Sequence, residues 1–164
     1  MAPHGPDHIE TNPDLAAFAH WPVGLYQEML AGVDNGCVGS TLVSETNRVR
    51  VWHLHIPAGG RCGFHRHVNP YFWSALTAGK ARGYFSSGEV RDAEHYVGET
   101  KHFHYGPGDY MLHCVENIGD TDLAFTTVEF LDGTNAPLAL PPAPLPAPLP
   151  AAEASDPASP PLPL

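Results

Sequence analysis

His65 and His67 stand one residue apart, and a third histidine, His113, follows a second Gly/Pro turn. In a β-strand, residues i and i+2 point to the same face, about 6.5–7 Å apart. Two imidazoles on one strand can therefore converge on a single metal ion. Histidine suits that task because its neutral ring offers a lone pair near pH 7. The run Gly59-Gly-Arg-Cys-Gly-Phe-His65-Arg-His67 predicts a turn entering such a strand. The run from Gly106 to Asn117 places His113 in the same relation to a turn. A metal site acting on a small molecule is the leading reading.

The chain carries three His-x-His pairs: His53/His55, His65/His67 and His102/His104. Spacing does not choose among them, but context favours the middle pair. It alone combines a glycine-rich entry, a following strand from Tyr71 to Leu76 closed by Gly79, and a distant His-x-x-x-Asn. The other pairs read as strand residues that pack or face water. His104 is the better outsider, since its strand leads towards the second motif. Cys62 and Cys114 lie at odd offsets from His65 and His113, so on regular strands they face away from the metal, which disfavours a Cys/His zinc site.

The elements that must hold these residues follow from the rest of the chain. At 164 residues with 43% hydrophobic content, one globular domain is expected. Residues 1–23 read as an N-terminal arm, in which Asn12-Pro13-Asp14 resembles a helix start and Leu15 to His20 a short helix ending before Pro22. Residues 24–135 show short runs rich in Val, Tyr, Phe, Trp and Thr between Gly/Asn/Asp turns, the pattern of a sandwich or barrel. Residues 136–164 are mostly Pro, Ala and Leu and predict a disordered, partly polyproline-like tail whose first residues, around Asn135–Leu138, pack on the barrel. In the alternating run Phe125–Phe130, Glu129 is the one late-strand carboxylate that could face the cavity, but the stronger reading has it facing solvent opposite a buried Val128. Trp21, Trp52 and Trp73 are expected to fill the barrel or a dimer contact.

Charge narrows the function. With 8 Lys+Arg, unclustered, against 18 Asp+Glu, the net charge is −10, which argues against a phosphate-binding surface and against binding to anionic membranes. No basic-then-apolar leader is visible, and no stretch approaches the ~18 apolar residues of a membrane span. Three cysteines form an odd set without Cys-x-x-Cys spacing, which fits a reducing compartment. A soluble, cytoplasmic protein is expected.

The two histidine runs resemble the motifs of the cupin superfamily. Gly59, five residues, His65-x-His67 and a closing Gly79 match the first motif. Pro107, Gly108, His113 and Asn117 approximate the second, with a Gly-to-His gap two residues longer than usual. The resemblance covers about residues 40–131. It implies an all-β fold, a single RmlC-like antiparallel jelly-roll barrel with the metal inside, and a homodimer. Dimerisation through an N-terminal strand around Leu25–Leu30 would cover an exposed sheet edge.

This chain departs from the family at its carboxylate ligand. His67 is followed by Val-Asn-Pro-Tyr71-Phe72-Trp, with no Glu in reach. Counting forward from His67 puts Tyr71 at the Glu position, and counting back from Gly79 puts Phe72 there. The implied ligand set is His65, His67 and His113, all neutral, with Tyr71 as a weak fourth ligand, a hydrogen-bond donor or simply a core aromatic. The candidate catalytic residues are Tyr71 and His104. The His-Arg-His-x-x-x-Tyr pattern is similar to β-alanine degradation-type cupins, and the ligand set is shared with three-histidine iron dioxygenases. Three imidazoles accept several divalent metals; availability favours Fe(II), then Zn(II) or Mn(II). A neutral ligand set leaves the ion its full charge, which suits a substrate bound as an anion. The expected function is an Fe(II)-dependent dioxygenase acting on a small anionic molecule. The alternatives are a non-redox isomerase or lyase and a non-catalytic binding module.

Overall fold

The structure, a computed structural model, describes residues 15–142. The helix start expected at Asn12–Asp14 and most of the proline-rich tail lie outside these residues. Nine strands follow one short helix. The strands are β1 (Thr41–Glu45), β2 (Val49–Ile56), β3 (His65–His67), β4 (Tyr71–Ala75), β5 (Gly79–Phe85), β6 (Val90–His95), β7 (Thr100–Phe103), β8 (Met111–Asn117) and β9 (Leu123–Phe130). They form two antiparallel sheets, one ordered β1-β2-β9-β4-β7 and one ordered β3-β8-β5-β6. The expected all-β, jelly-roll-type barrel is what the chain builds.

Alternation decides which face is inside. Along β9, Leu123, Phe125, Thr127 and Glu129 are buried, while the residues between them are half-buried on the outer face. Its neighbour β2 buries Trp52, Leu54 and Ile56 and exposes His53 and His55. The five-stranded sheet thus has one packed face and one outward face, as antiparallel sheets allow. The four-stranded sheet is covered on both. Its inner face lines a cavity, and its outer face carries Tyr84, Leu112 and Cys114 against Trp21, Leu25, Met29 and Phe64.

That outer cover corrects the expectation of an N-terminal strand around Leu25–Leu30. The segment is an α-helix, α1 (Leu25–Ala31). Leu25 and Met29 recur at i, i+4 and are buried, with Tyr26 and Leu30 packed beside them. Burying such side chains contributes roughly 1.5–3 kcal/mol each, which a lone edge strand would forgo. The helix ends at Gly32, whose N–H bonds the carbonyls of Glu28 and Met29. A Cβ on Gly32 would come within 2.8 Å of the Phe64 carbonyl, so only glycine lets the chain turn this close to the residue preceding His65. The shorter helix expected at Leu15–His20 is a single 3-10 turn, Leu15–Phe18.

Two contacts fix the entry to β3. Arg61 donates to both carboxylate oxygens of Glu28 on α1, at 2.7 and 3.1 Å. Asn117, wholly buried at the end of β8, donates to the carbonyls of Ile56 and Thr121 and accepts from Gly119 N–H. Its backbone also exchanges bonds with Gly59 and Gly60, and Gly59 has φ +73°. The second motif's Asn therefore pins the first motif's glycine turn. The start of the tail packs as expected: the Asn135 amide donates to the carbonyls of Val68 and Gly106, and Arg50 donates to Leu138. No helix among the described residues is long and apolar enough to cross a membrane.

Candidate metal centre

Strand pairing assembles the three histidines. β3 pairs antiparallel with β8 so that His65 lies directly opposite His113, and His67 opposite Met111. Cross-strand partners share a face, and His67 shares it with His65 by the two-residue period. The ring nitrogens of His65, His67 and His113 all lie within 4.8 Å of one another, and they are the one group of this kind among the described residues. His67 Nε2 and His113 Nε2 are 3.2 Å apart. Two nitrogens each bonded to one ion at ~2.0–2.1 Å lie about 3–3.4 Å apart, so the donor set fits a metal. His65 donates Nδ1–H to the Gly63 carbonyl at 2.9 Å, which leaves Nε2 as its lone-pair nitrogen.

The His67 ring is held differently. Its Nδ1 is buried without a hydrogen-bond partner. Instead the ring lies flat on Tyr71, centroids 4.1 Å apart and planes 17° apart, and Tyr71 in turn stacks on Phe103 at 4.6 Å. His113 rests on Phe85 at 5.5 Å. A Cβ on Gly83 would meet the Phe85 ring at 2.9 Å, so that glycine makes room for this support.

Burial holds all three histidines below the ordinary imidazole range. For His65 the Gly63 bond works against burial; for His67 and His113, neighbouring rings add to it. All three are therefore neutral and can ligate at pH 7. The sign is clear: a lowered pKa keeps the lone pairs available into mild acid. Metal occupancy is expected to stay flat from pH 8 to pH 6.5 and to fall only in more acidic buffer. Equilibrium dialysis followed by metal analysis measures this, and a loss beginning above pH 7 would contradict it. The metal-free protein is expected to lose stability as pH falls below 6.5, where the unfolded chain takes up protons first.

The centre opens on a cavity of about 250 Å³ with mostly apolar walls, among them Leu54, Trp73, Phe103, Val115 and Phe125. Of the two residues that competed for the missing carboxylate position, Tyr71 points inward and Phe72 outward, where it faces His102. Burial and the neighbouring Tyr105 and Glu129 push the Tyr71 phenol well above its usual range. His104 is exposed and does not line the cavity. His53, His55 and His102 lie exposed on the outer side, with His55 bonded to Asp122 at 2.9 Å. Cys114 is buried on the far side of its sheet, its thiol pushed up to about 12 by burial. Trp52 and Trp73 face the barrel interior, and Trp21 packs under α1.

Glu129 is a correction. The period of the Phe125–Phe130 run is as expected but the phase is opposite: Glu129 is buried and Val128 is on the outer face. The carboxylate accepts from Trp52 Nε1–H at 2.7 Å and from the Asn69 amide at 3.5 Å. Pairing of Trp52 with Thr127 and of Tyr71 with Glu129 sets that phase. Burial raises its pKa despite these bonds. A raised folded-state pKa favours folding below the unfolded value and loses that contribution as pH rises through the folded one. Glu129→Gln is therefore expected to be more stable than the parent at pH 7.5, with the gap closing near pH 4, as read from urea midpoints. It should hold metal unchanged.

Sequence reasoning missed the other polar residues of the cavity region, Arg91 and Thr127 among them. His95 and Lys101 line the cavity, and buried Glu99 lies behind them. The available signal was a His and a Glu four residues apart around the turn glycine Gly98.

No protein-family model matches the sequence, and no curated protein matches it. Among solved structures, a cupin domain from Bordetella pertussis is 27% identical, with 55% of this chain and 88% of that one covered and a TM-score of 0.49. A conserved protein with a double-stranded β-helix domain from Klebsiella pneumoniae is 23% identical, covering 60% and 75%, with a TM-score of 0.44. Oxalate decarboxylase from Bacillus subtilis is 25% identical over 50% of this chain and 21% of its own length, with a TM-score of 0.39.

Proposed function

We propose that this protein is a metal-dependent enzyme that binds a small organic molecule as an anion at His65, His67 and His113. The observation that carries the reading is the convergence of three neutral imidazoles on one point at the wall of an apolar cavity. A divalent ion held there would supply Lewis acidity, and as Fe(II) it would also supply O₂ chemistry. The protein's own residues do the rest. His65 is aimed by Gly63, His67 is held flat by Tyr71, and the aromatic walls exclude water and strengthen the charge interaction with a bound anion.

Fe(II) is the favoured metal and dioxygenation the favoured reaction, supported by metal availability and by the ligand set's likeness to that of three-histidine iron dioxygenases. The cavity's acid–base-capable side chains support the second reading, a non-redox isomerase or lyase. The free thiols of Cys37, Cys62 and Cys114 support a reducing, cytoplasmic location. The homodimer is tested by sedimentation, where a particle near twice the chain mass supports it.

The deciding measurement is the metal content of protein purified without oxygen or chelator, followed by O₂ uptake with diketones and phenolic acids. Near-stoichiometric iron with substrate-dependent O₂ uptake supports the dioxygenase. Zinc or manganese without O₂ uptake moves the function to isomerase or lyase chemistry. Absence of metal even after reconstitution overturns the enzyme reading in favour of a binding module.

A further inference from the structure

The cavity has a second polar end. On β5, Gly79 pairs with His95 and Phe85 with His113, six residues apart. At ~3.3 Å per residue the two histidines are separated by about 20 Å along the barrel at the backbone. Both side chains line the same cavity, so they reach into it from opposite ends. His95 is only 9% exposed, and its Nδ1 lies 2.7 Å from Glu99 Oε2. Glu99 is buried as well, and its other oxygen is 3.0 Å from Lys101 Nζ. Burial pushes the Glu99 carboxyl up, and His95 and Lys101 together pull it below the usual carboxylate range. A carboxylate has no proton to give, so Nδ1–H is the donor and Nε2 carries the ring's free lone pair. Trp73 and Phe125 stand nearly perpendicular to the ring, at 5.2 and 5.1 Å, and hold it in place.

A carboxylate that fixes the tautomer of a histidine and balances its imidazolium is the arrangement by which proteins make a general base. A purely structural pair would not need to sit at the end of the same cavity as the three-histidine group. The walls between the two ends are aromatic, with Tyr71, Trp73, Phe85, Phe103 and Phe125. Such a slot suits a planar, conjugated molecule.

We infer that His95 is the acid–base residue of this cavity and Glu99 its positioning residue, serving an elongated hydroxyaryl carbonyl compound or similar conjugated oxygen acid whose carbonyl end lies at the three histidines. The O–H bond of the substrate breaks, the proton forms a bond to His95 Nε2, and the electron pair stays on the substrate. Conjugation carries the negative charge to the far oxygen. The imidazolium is balanced by Glu99, and the reverse transfer returns the proton. This deepens the metal-centre reading and rests on it, because the anion so formed is what a cation on three neutral ligands attracts.

The test uses 4-hydroxyacetophenone, whose phenolate absorbs at longer wavelength than its phenol, added to the zinc-loaded full-length protein at neutral pH. The wild type is expected to show the phenolate band and His95→Gln to lose it, at least tenfold, with zinc content and circular dichroism unchanged. Glu99→Gln keeps the shape of the pair and provides a second variant if His95→Gln fails to fold. It is expected to weaken the band several-fold and to shift the His95 ring to its other tautomer in ¹⁵N spectra, which a merely structural role would not do. No phenolate band in the wild type, or an undiminished band in His95→Gln, overturns the inference. Failure of the metal reading shows separately, as protein that retains no zinc.

Discussion

His113→Ala is expected to give a folded barrel that no longer holds stoichiometric metal. β8 is paired on one side with β3 and on the other with β5, and alanine keeps every backbone bond of those ladders. What is lost is one of three ligand nitrogens and a ring resting on Phe85. Losing a ligand costs more than the 10–100-fold in affinity that follows loss of a supporting partner. The stability change is expected within about 0.5–3 kcal/mol, the ordinary range for single substitutions. Metal analysis after gel filtration, with a thermal melt beside it, separates the two effects. His104→Ala, at an exposed position away from the cavity, should keep full metal content. One metal per chain in His113→Ala would end the ligand assignment.

Tyr71 carries the second large effect, and two variants divide its ring from its hydroxyl. The ring is sandwiched between His67 and Phe103, while Nδ1 of His67 has no hydrogen bond to orient it. Tyr71→Ala is expected to cost about 3–5 kcal/mol, as removal of a buried aromatic does. It should also lower metal affinity roughly 10–100-fold, because the stack takes the place of the usual second hydrogen bond to a ligating histidine. Tyr71→Phe keeps the stack and should bind metal as the parent does. If Tyr71→Phe loses metal as severely as Tyr71→Ala, the phenol oxygen is a ligand and the stacking account is wrong. Isothermal titration with Zn(II) reads both affinities, and urea unfolding reads the stability.

Several of these features were legible without coordinates because they are local. The glycine turn at Gly59-Gly60 and the His65-x-His67 spacing fall within a single turn and strand, so composition and the two-residue period suffice to read them. The α1 segment misled because Leu25–Leu30 is apolar enough for either element, and its partner surface of Tyr84, Leu112 and Cys114 lies far along the chain. The choice between Tyr71 and Phe72 differed by one residue in register, and one residue inverts which side chain faces the metal. For Glu129 the alternation was visible but the phase was not, so the weaker, inward reading is the one the structure shows.

By itself, then, the sequence determined the class of fold, the three histidines and the glycine turns that aim them, since each is written in spacings of a few residues. Tertiary structure alone decided that Tyr71 rather than Phe72 supports His67, that Glu129 is buried against Trp52, and that His95, backed by Glu99, lines the same cavity as the three histidines. Those outcomes depend on register between strands up to about 80 residues apart, as β2 and β9 are. Such register follows from packing and pairing energies summed over whole sheets, which no local pattern encodes.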